Sequence, residues 1–563
     1  MAEAIAATHG VSSTLARVLA GRGADVRTTP DILAPRLRNS LPDPSVLVGA
    51  DAAIMRLAQA ITARQQVAIF GDYDVDGACS AALLAGYLRS FGLQPAVHIP
   101  DRLTEGYGPN GAAIRALNAD GARLLVCVDC GTSGHEPLAE AKRLGMDVLV
   151  LDHHQAPEHL PEVAALVNPN RQDDLSGLGH LCAAGVVFVL LVGLNRALRD
   201  QQFDVPDLLA DLDIVALATI ADVVPLTGLN RAFVAQGLKV MRERRRPGLA
   251  ALADVSRLDA TPEAWHLGFL LGPRINAGGR IGDAGLGARL LLTEDPGEAR
   301  RIAEQLDLLN RERQAVEEGM LAEAEEQALQ SLGMQEDKKD VIVVQGEGWH
   351  PGIVGIIAGR LKERFRRPAF AFAAHDDALT GSGRSVSGVD LGAAVRAALA
   401  AGLALKGGGH AMAAGVTLAP GALAAFSTFL DSELGVGSRI ARANDSLAID
   451  AALSSESLTP DFVREVALAS PFGQGNPEPV FALPAHKLVD IIAIKGGHLR
   501  AILLSASGTR LEAMAFRAAG RPLGDALLSF RGQIIHAAGS ASLEHWGGRE
   551  KVGFRLLDVA KLV

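Results

Sequence analysis

The stretch Val67–Ser80, VAIFGDYDVDGACS, decides how the chain is read. Four strand-forming apolar residues, Val67 to Phe70, run into Gly71 and then Asp72, Asp74 and Asp76, after which Gly77 opens a helical pattern. A strand without a polar position is buried on both faces, as in a parallel sheet covered by helices. Three carboxylates this close together repel one another unless a cation sits among them. A metal site at the end of this strand is the first expectation.

The strand-and-acid unit recurs downstream. Leu124 to Val128 reads as a strand followed by Asp129, and Val148 to Leu151 as a strand followed by Asp152, with helical patterns over Ala78 to Phe91 and Glu136 to Leu144 between them. This alternation predicts an α/β domain with a parallel sheet. Ligands in such sheets bind at the carboxyl ends of the strands, so three sequence-distant acidic sites are expected along one edge. A fourth acid, Asp222, comes out of the long apolar run LDIVALATIADVVPL. DYDVDG resembles the start of a calcium loop, but position twelve is Leu83 where a bidentate Glu is needed. If residues 72 to 76 stay extended, their alternate positions share one face. Leu151-Asp152-His153-His154 adds imidazole to carboxylate, a donor set suited to Mn²⁺, Fe²⁺ or Zn²⁺, with the oxygen-rich total favouring Mn²⁺ or Mg²⁺. Four acids and two imidazoles can hold two ions, the arrangement that activates water and clamps both oxygens of a phosphoryl displacement.

The rest of the chain sets bounds on this reading. At 563 residues it predicts two to four domains. With 48% hydrophobic and 4% aromatic residues, it has the composition of a soluble globular protein with an aliphatic core. A net charge of −10 argues against holding nucleic acid by bulk positive charge, so any such function has to rest on local sites. The four cysteines are too few for a disulfide framework and point to a reducing, cytoplasmic setting. Cys127 and Cys130 read as buried structural thiols rather than zinc ligands. Neither a signal peptide nor a membrane span is expected.

Residues 1–60 alternate an Ala/Leu-rich helical pattern with the proline-bearing TTPDILAPRLRNSLPDPSVLVG, an extended lead-in expected to pack on a later domain, and 61–295 read as the metal-bearing domain. MRERRRPG at 241–248 reads as a solvated helix end. Residues 296–335 hold a long amphipathic connecting helix with apolar positions at Ile302, Leu306, Leu309, Val316, Met320 and Leu321. A second α/β unit is expected over 336–438. Over 439–563, short alternating segments separated by Gly-rich turns predict a small β-barrel or sandwich.

GDYDVDG, VDCGTS, LDHH and IADVVPL, in that order, resemble the four catalytic motifs of the DHH phosphoesterase superfamily, and the chain is identified as a RecJ-type member of it. IPDRLTEGYG (99–108), PRINAGGR (273–280), GWHPGIVGIIAGR (348–360), GSGRS (381–385), GGGHAMAAG (407–415) and GQGNPEPVF (473–481) resemble further RecJ segments. Smaller relatives that cleave short oligoribonucleotides or dinucleotides carry a histidine four residues before the first metal-binding Asp. Here Phe70 stands at that position.

The resemblance implies a DHH catalytic domain, a long connecting helix, a DHH-associated α/β domain and an oligonucleotide-binding barrel. It also implies a 5′-to-3′ exonuclease on single-stranded DNA that releases mononucleotides with Mn²⁺ or Mg²⁺, serves DNA repair and recombination, and works with partners such as a single-strand-binding protein and a helicase. Carried over, Asp74, Asp76, Asp129, His153 and Asp222 would ligate two metal ions. Asp152 and His154 would be ligands or their supports, and Asp72 has no settled role. Arg102 and Tyr107 would meet a backbone phosphate and a base, and Arg280, Arg384 and His410 would grip phosphate. The alternatives are a phosphodiesterase of short oligoribonucleotides or dinucleotides, which chain length and the barrel disfavour, and an inactive replication scaffold, which the full set of acids disfavours.

Overall fold

Val67–Gly71 (β1), Ala96–His98 (β2), Leu124–Val128 (β3), Asp147–Leu151 (β4) and Ala165–Val167 (β5) form an all-parallel sheet in the order β2-β1-β3-β4-β5. This is seen in a computed structural model, which describes residues 1–101, 104–333, 338–375, 377–444, 446–546 and 549–562. The period-two pleat sends Val67, Ile69, Val126, Val128, Leu149 and Leu151 into one core, together with residues of helices Ala50–Thr62, Val75–Ser90 and Ala183–Asp200. Ala68, Phe70, Leu125, Cys127, Val148 and Val150 enter the opposite core, against helices Gly111–Ala119 and His135–Arg143. Each fully buried Ile, Leu or Phe contributes about 1.5–3 kcal/mol. The absence of polar positions in β1, β3 and β5 follows from burial on both sides. All four cysteines are buried and free, as expected.

The helix that follows β1 begins at Val75, earlier than the expected Ala78, so residues 72 to 76 do not stay extended. Asp74 is its N-cap: the carboxylate accepts the Gly77 N–H at 3.0 Å, which satisfies an otherwise orphaned donor and places negative charge at the positive end of the helix. Asp76 lies in the first turn. Gly77 is required there, because a Cβ would stand 2.3 Å from the Asp72 carbonyl oxygen.

The run that delivers Asp222 is helix Leu212–Ala221, with Asp222 as its C-cap. Beyond helix Gly228–Arg242 the basic stretch is only partly solvated. Arg246 turns inward to Asp211 (2.7 Å) and Asp213 (3.1 Å), because Asp213 is buried on the core helix and needs a counter-charge. Helix Pro296–Leu332 has 37 residues, about 55 Å of length at 1.5 Å per residue. Ala299, Ile302, Ala303 and Leu306 join a core of the first half, and Met320, Ala324, Ala328 and Leu332 join that of the second sheet. Val316 is exposed, unlike the expectation, because Asn310, Arg313 and Glu317 occupy the buried face of the middle turns.

The second sheet comprises Ile342–Glu347 (β6), Ala369–His375 (β7), Ala378–Arg384 (β8), Lys406–His410 (β9) and Ala413–Leu418 (β10), in the order β6-β7-β8-β10-β9. Only β6 and β7 pair in parallel. The third sheet contains Ala451–Ala452 (β11), Phe481–Ile494 (β12), His498–Leu504 (β13), Arg510–Ala515 (β14), Ile534–Trp546 (β15) and Arg549–Lys561 (β16). Its order is β11-β12-β13-β14-β16-β15, and a further β12–β15 pairing closes five strands into a barrel. Register shifts at Leu483/His486 and Leu488/Asp490 bend β12 enough to pair with both neighbours.

The Ala/Leu-rich parts of the N-terminal segment are helical, as expected, whereas the proline-bearing part forms short helices rather than an extended run. Ala2–His9 and Ser13–Gly21 pack against Ala469 and Phe472, and Arg22 makes a forked pair with Asp450 at 2.6 and 3.1 Å. Pro30 and Pro44 open short helices at Thr29–Leu33 and Pro44–Val46, where a missing N–H costs nothing. Among the described residues no single helix is long and apolar enough to cross a membrane.

Replacing Arg246 by Ala would leave Asp213 buried beside Asp211 without its cation. The expected loss is about 3 kcal/mol of folding stability, read as a lower urea midpoint at an unchanged slope.

Candidate metal centre

The acids meet at the carboxyl edge of the first sheet. β3 ends at Val128, and the next residue, Asp129, takes a left-handed backbone (φ 60°) that Asp tolerates better than most residues. β4 ends at Leu151, and Asp152, His153 and His154 follow it. Asp76 arrives from the first turn of helix Val75–Ser90, and Asp222 from the end of helix Leu212–Ala221.

His153 Nε2 is the common point. It lies 3.3 Å from Asp129 Oδ1, 3.6 Å from Asp222 Oδ2 and 3.7 Å from Asp76 Oδ2. Asp129 Oδ1 is also 3.8 Å from His154 Nδ1. Three groups have donor atoms mutually within 4.8 Å: Asp129 with His153 and His154, Asp76 with His153 and Asp222, and Asp72 with Asp74 and Asp129. Asp72 is thereby brought into the cluster. Sharing of Asp129 and His153 between groups is the pattern of adjoining sites for two ions.

Asp152 has a different place. Its Oδ1 accepts from His153 N (2.8 Å), His154 N (3.2 Å) and the His154 ring (2.8 Å), and its Oδ2 from Thr132 N (3.1 Å). Oδ1 is engaged with the two histidines, and Oδ2 is anchored on Thr132. The sequence reading missed several supports. Ala183 and Ala184 N–H, at the start of helix Ala183–Asp200, donate to Asp76 at 2.6 and 2.9 Å. Asn168 donates to Thr132 Oγ1 and to the His154 carbonyl, both at 2.9 Å, and Asn170 donates to the His153 carbonyl. The NPN segment at 168–170, just beyond β5, is the one signal that could have marked these asparagines.

Electrostatics follow from this crowding. Burial, and then Asp76 and Asp74, push Asp129 well above the usual carboxylate range and Asp222 up to about 9. Burial also raises Asp76, against the opposing pull of His153. For His154 burial opposes the charge, but the Asp152 carboxylate prevails and holds it at about 9. Burial would raise Asp152, yet its bonds to His154 and Thr132 leave it below the ordinary range. The donor set is oxygen-rich with imidazole, and the buried Asp129 Oδ1 accepts no hydrogen bond. Both features fit Mn²⁺ or Mg²⁺.

The expected substrate-handling residues are spread around this edge. Tyr107 is exposed, with its hydroxyl 3.4 Å from His154 Nδ1. Arg102 lies outside the described residues. Arg280 donates to the Gly352 carbonyl at 2.8 Å, and Arg384, at the end of β8, packs so closely on Gly355 that a Cβ there would come within 3.1 Å of its guanidinium. Both arginines therefore flank the loop leading into helix Val354–Phe365. His410 ends β9, and the charge of His154 reaches it strongly enough to help lower its pKa, after burial. Tyr107 is thus brought to the cluster, whereas Arg280, on helix Gly272–Ile281, and Arg384, on β8, meet the segment Gly352–Gly355.

With Asp222 and His154 both raised, ion-free protein should lose stability as pH rises. Asp222 is protonated when folded and ionised when unfolded between about pH 4 and 9, and the His154 contribution, whole below about 6.5, fades towards 9. Asp152, with a depressed pKa, contributes constantly across that window. Melting curves at pH 6 and 8.5 should show Mn²⁺ raising Tm more at the higher pH, and an equal rise at both would contradict this charge balance.

The DHH family, N-terminal domain, matches residues 66–219, the DHHA1 domain 338–435 and the RecJ OB domain 449–558. A single-stranded-DNA-specific exonuclease RecJ of Dickeya dadantii is 39% identical over 83% of the chain and 82% of its own length. That of Escherichia coli is 37% identical over 91% and 88%. The crystal structure of RecJ in complex with Mn²⁺ from Thermus thermophilus covers the whole chain and 78% of its own, with a TM-score of 0.82 and 30% identity. With all three domains in order and relatives of this identity matched over most of their length, the chain belongs to the RecJ family of DHH phosphoesterases.

Proposed function

We propose that the protein is a 5′-to-3′ exonuclease that removes 5′ mononucleotides from single-stranded DNA by two-metal hydrolysis, in the cytoplasm, in DNA repair and recombination. The observation that carries the reading is the convergence of Asp76, Asp129 and Asp222 on His153 Nε2, with Asp129 shared between neighbouring donor groups. The relatives' names supply the substrate: they are single-stranded-DNA-specific exonucleases.

In this reading Asp74, Asp76, Asp129, His153 and Asp222 hold the ions, and Asp72 stands at the edge of the same set. Such ions, when bound, supply water activation and charge stabilisation at the phosphoryl oxygens. The chain's own residues do the positioning. Two backbone N–H groups hold the Asp76 carboxylate in one orientation. Asp152 fixes the ring plane of His154, whose Nε2 lies 3.5 Å from the Tyr107 hydroxyl. Tyr107 offers a face for a terminal base, and Arg102, Arg280, Arg384 and His410 offer cationic or hydrogen-bonding groups for phosphates. The division of labour assigns residues 1–60 to the lead-in, 61–295 to catalysis, 296–335 to the connection, 336–438 to the DHH-associated domain and 439–563 to strand binding. A helicase and a single-strand-binding protein would supply the unpaired end this chemistry needs.

Asp129→Ala removes the shared carboxylate. Release of nucleotide from a 5′-labelled single strand with Mn²⁺ should fall at least about 10³-fold, while the metal-free protein still melts cooperatively, since the two apolar cores of the sheet are untouched. Unchanged release would contradict the assignment.

A further inference from the structure

The loop that carries Asp222 is held from outside by the segment leading into the barrel. Asp222 is followed by Val223 in a left-handed conformation (φ 58°), which a β-branched residue adopts only under restraint. The restraint comes further along the loop. Leu226 N donates to the Gln474 carbonyl at 2.7 Å, and the Leu226 side chain lies against Gly473. Gly475 (φ 72°) sits on Pro225, where a Cβ would be 3.0 Å from the proline Cβ.

The 469–476 segment is itself rigidly tied. Gly473 and Asn476 bridge, and buried Asn476 Nδ2 donates to the Ala469 (2.9 Å) and Pro471 (2.8 Å) carbonyls. Arg231, buried on the helix that follows the Asp222 loop, donates to the carbonyls of Ile32, Ala469, Ser470 and Pro471. One guanidinium thus ties together the N-terminal segment, the catalytic half and the approach to the barrel.

We propose that the Gly473–Asn476 turn, clamped by Arg231, is a positioning element of the metal centre that sets Asp222 and couples it to the barrel. This rests on the reading of Asp222 as a metal ligand. Coupling is reciprocal, so an ion that fixes Asp222 must in turn steady the turn that supports it.

Hydrogen exchange of the full chain, with and without saturating Mn²⁺, tests this without any variant. Exchange in 470–476 and 222–227 should slow on Mn²⁺ addition, while the β13–β14 hairpin on the barrel stays unchanged. Unaltered exchange in 470–476 with Mn²⁺ bound would overturn the proposal, whereas failure to bind Mn²⁺ at all would overturn the metal reading beneath it. In a second arm, Gly475→Ala should weaken Mn²⁺ binding to metal-free protein about tenfold, read by electron paramagnetic resonance. It should lower kcat with KM for single-stranded DNA retained, and excess Mn²⁺ should restore the rate. A folded Gly475→Ala protein with wild-type Mn²⁺ affinity would overturn it too.

Discussion

Three carboxylates within 3.7 Å of a single imidazole nitrogen, most of them buried, make an arrangement that opposes folding on its own. Each ionised group removed from water costs several kcal/mol, and their mutual repulsion adds to it. The chain meets this in two ways. Protons occupy the cluster in the ion-free state, as the raised Asp129 and Asp222 record. Fixed donors orient further members: helix N-terminal amides for Asp76, and two backbone amides with a ring nitrogen on Asp152 Oδ1. Divalent cations replacing the protons give the cluster its function.

The architecture around the site follows from that requirement. A parallel sheet brings strand ends from distant sequence to one edge, and its two apolar cores hold that edge rigid. The long helix then carries a second sheet with its own core, from which the loop before Val354 reaches Arg280. The barrel approach touches the Asp222 loop. In the proposed function, a chain of net charge −10 would handle nucleic acid through a few local groups.

The strand-and-acid pattern was legible in the sequence because burial on both faces removes polar residues from a strand, so each aspartate marks a strand end. The 37-residue helix and the barrel were legible for similar reasons of period and spacing. What stayed hidden depends on contacts between residues far apart. Asp74 stands out as a candidate ligand, while its further role as N-cap of the helix from Val75 is a local exception, seen only in the bond from Gly77 N–H. Arg246 reads as solvated until buried Asp213 is placed beside it. The Ala183 and Ala184 amides have no side-chain signature at all, and the N-terminal helices owe their position to Ala469 and Phe472.

Two ions sharing Asp129 is the claim on which the functional reading turns. Crystals soaked in Mn²⁺ and measured at the manganese absorption edge test it directly. Two anomalous peaks about 3.5–4 Å apart on either side of the Asp129 carboxylate are the expected result. A single peak, or two peaks that do not share Asp129, would contradict it.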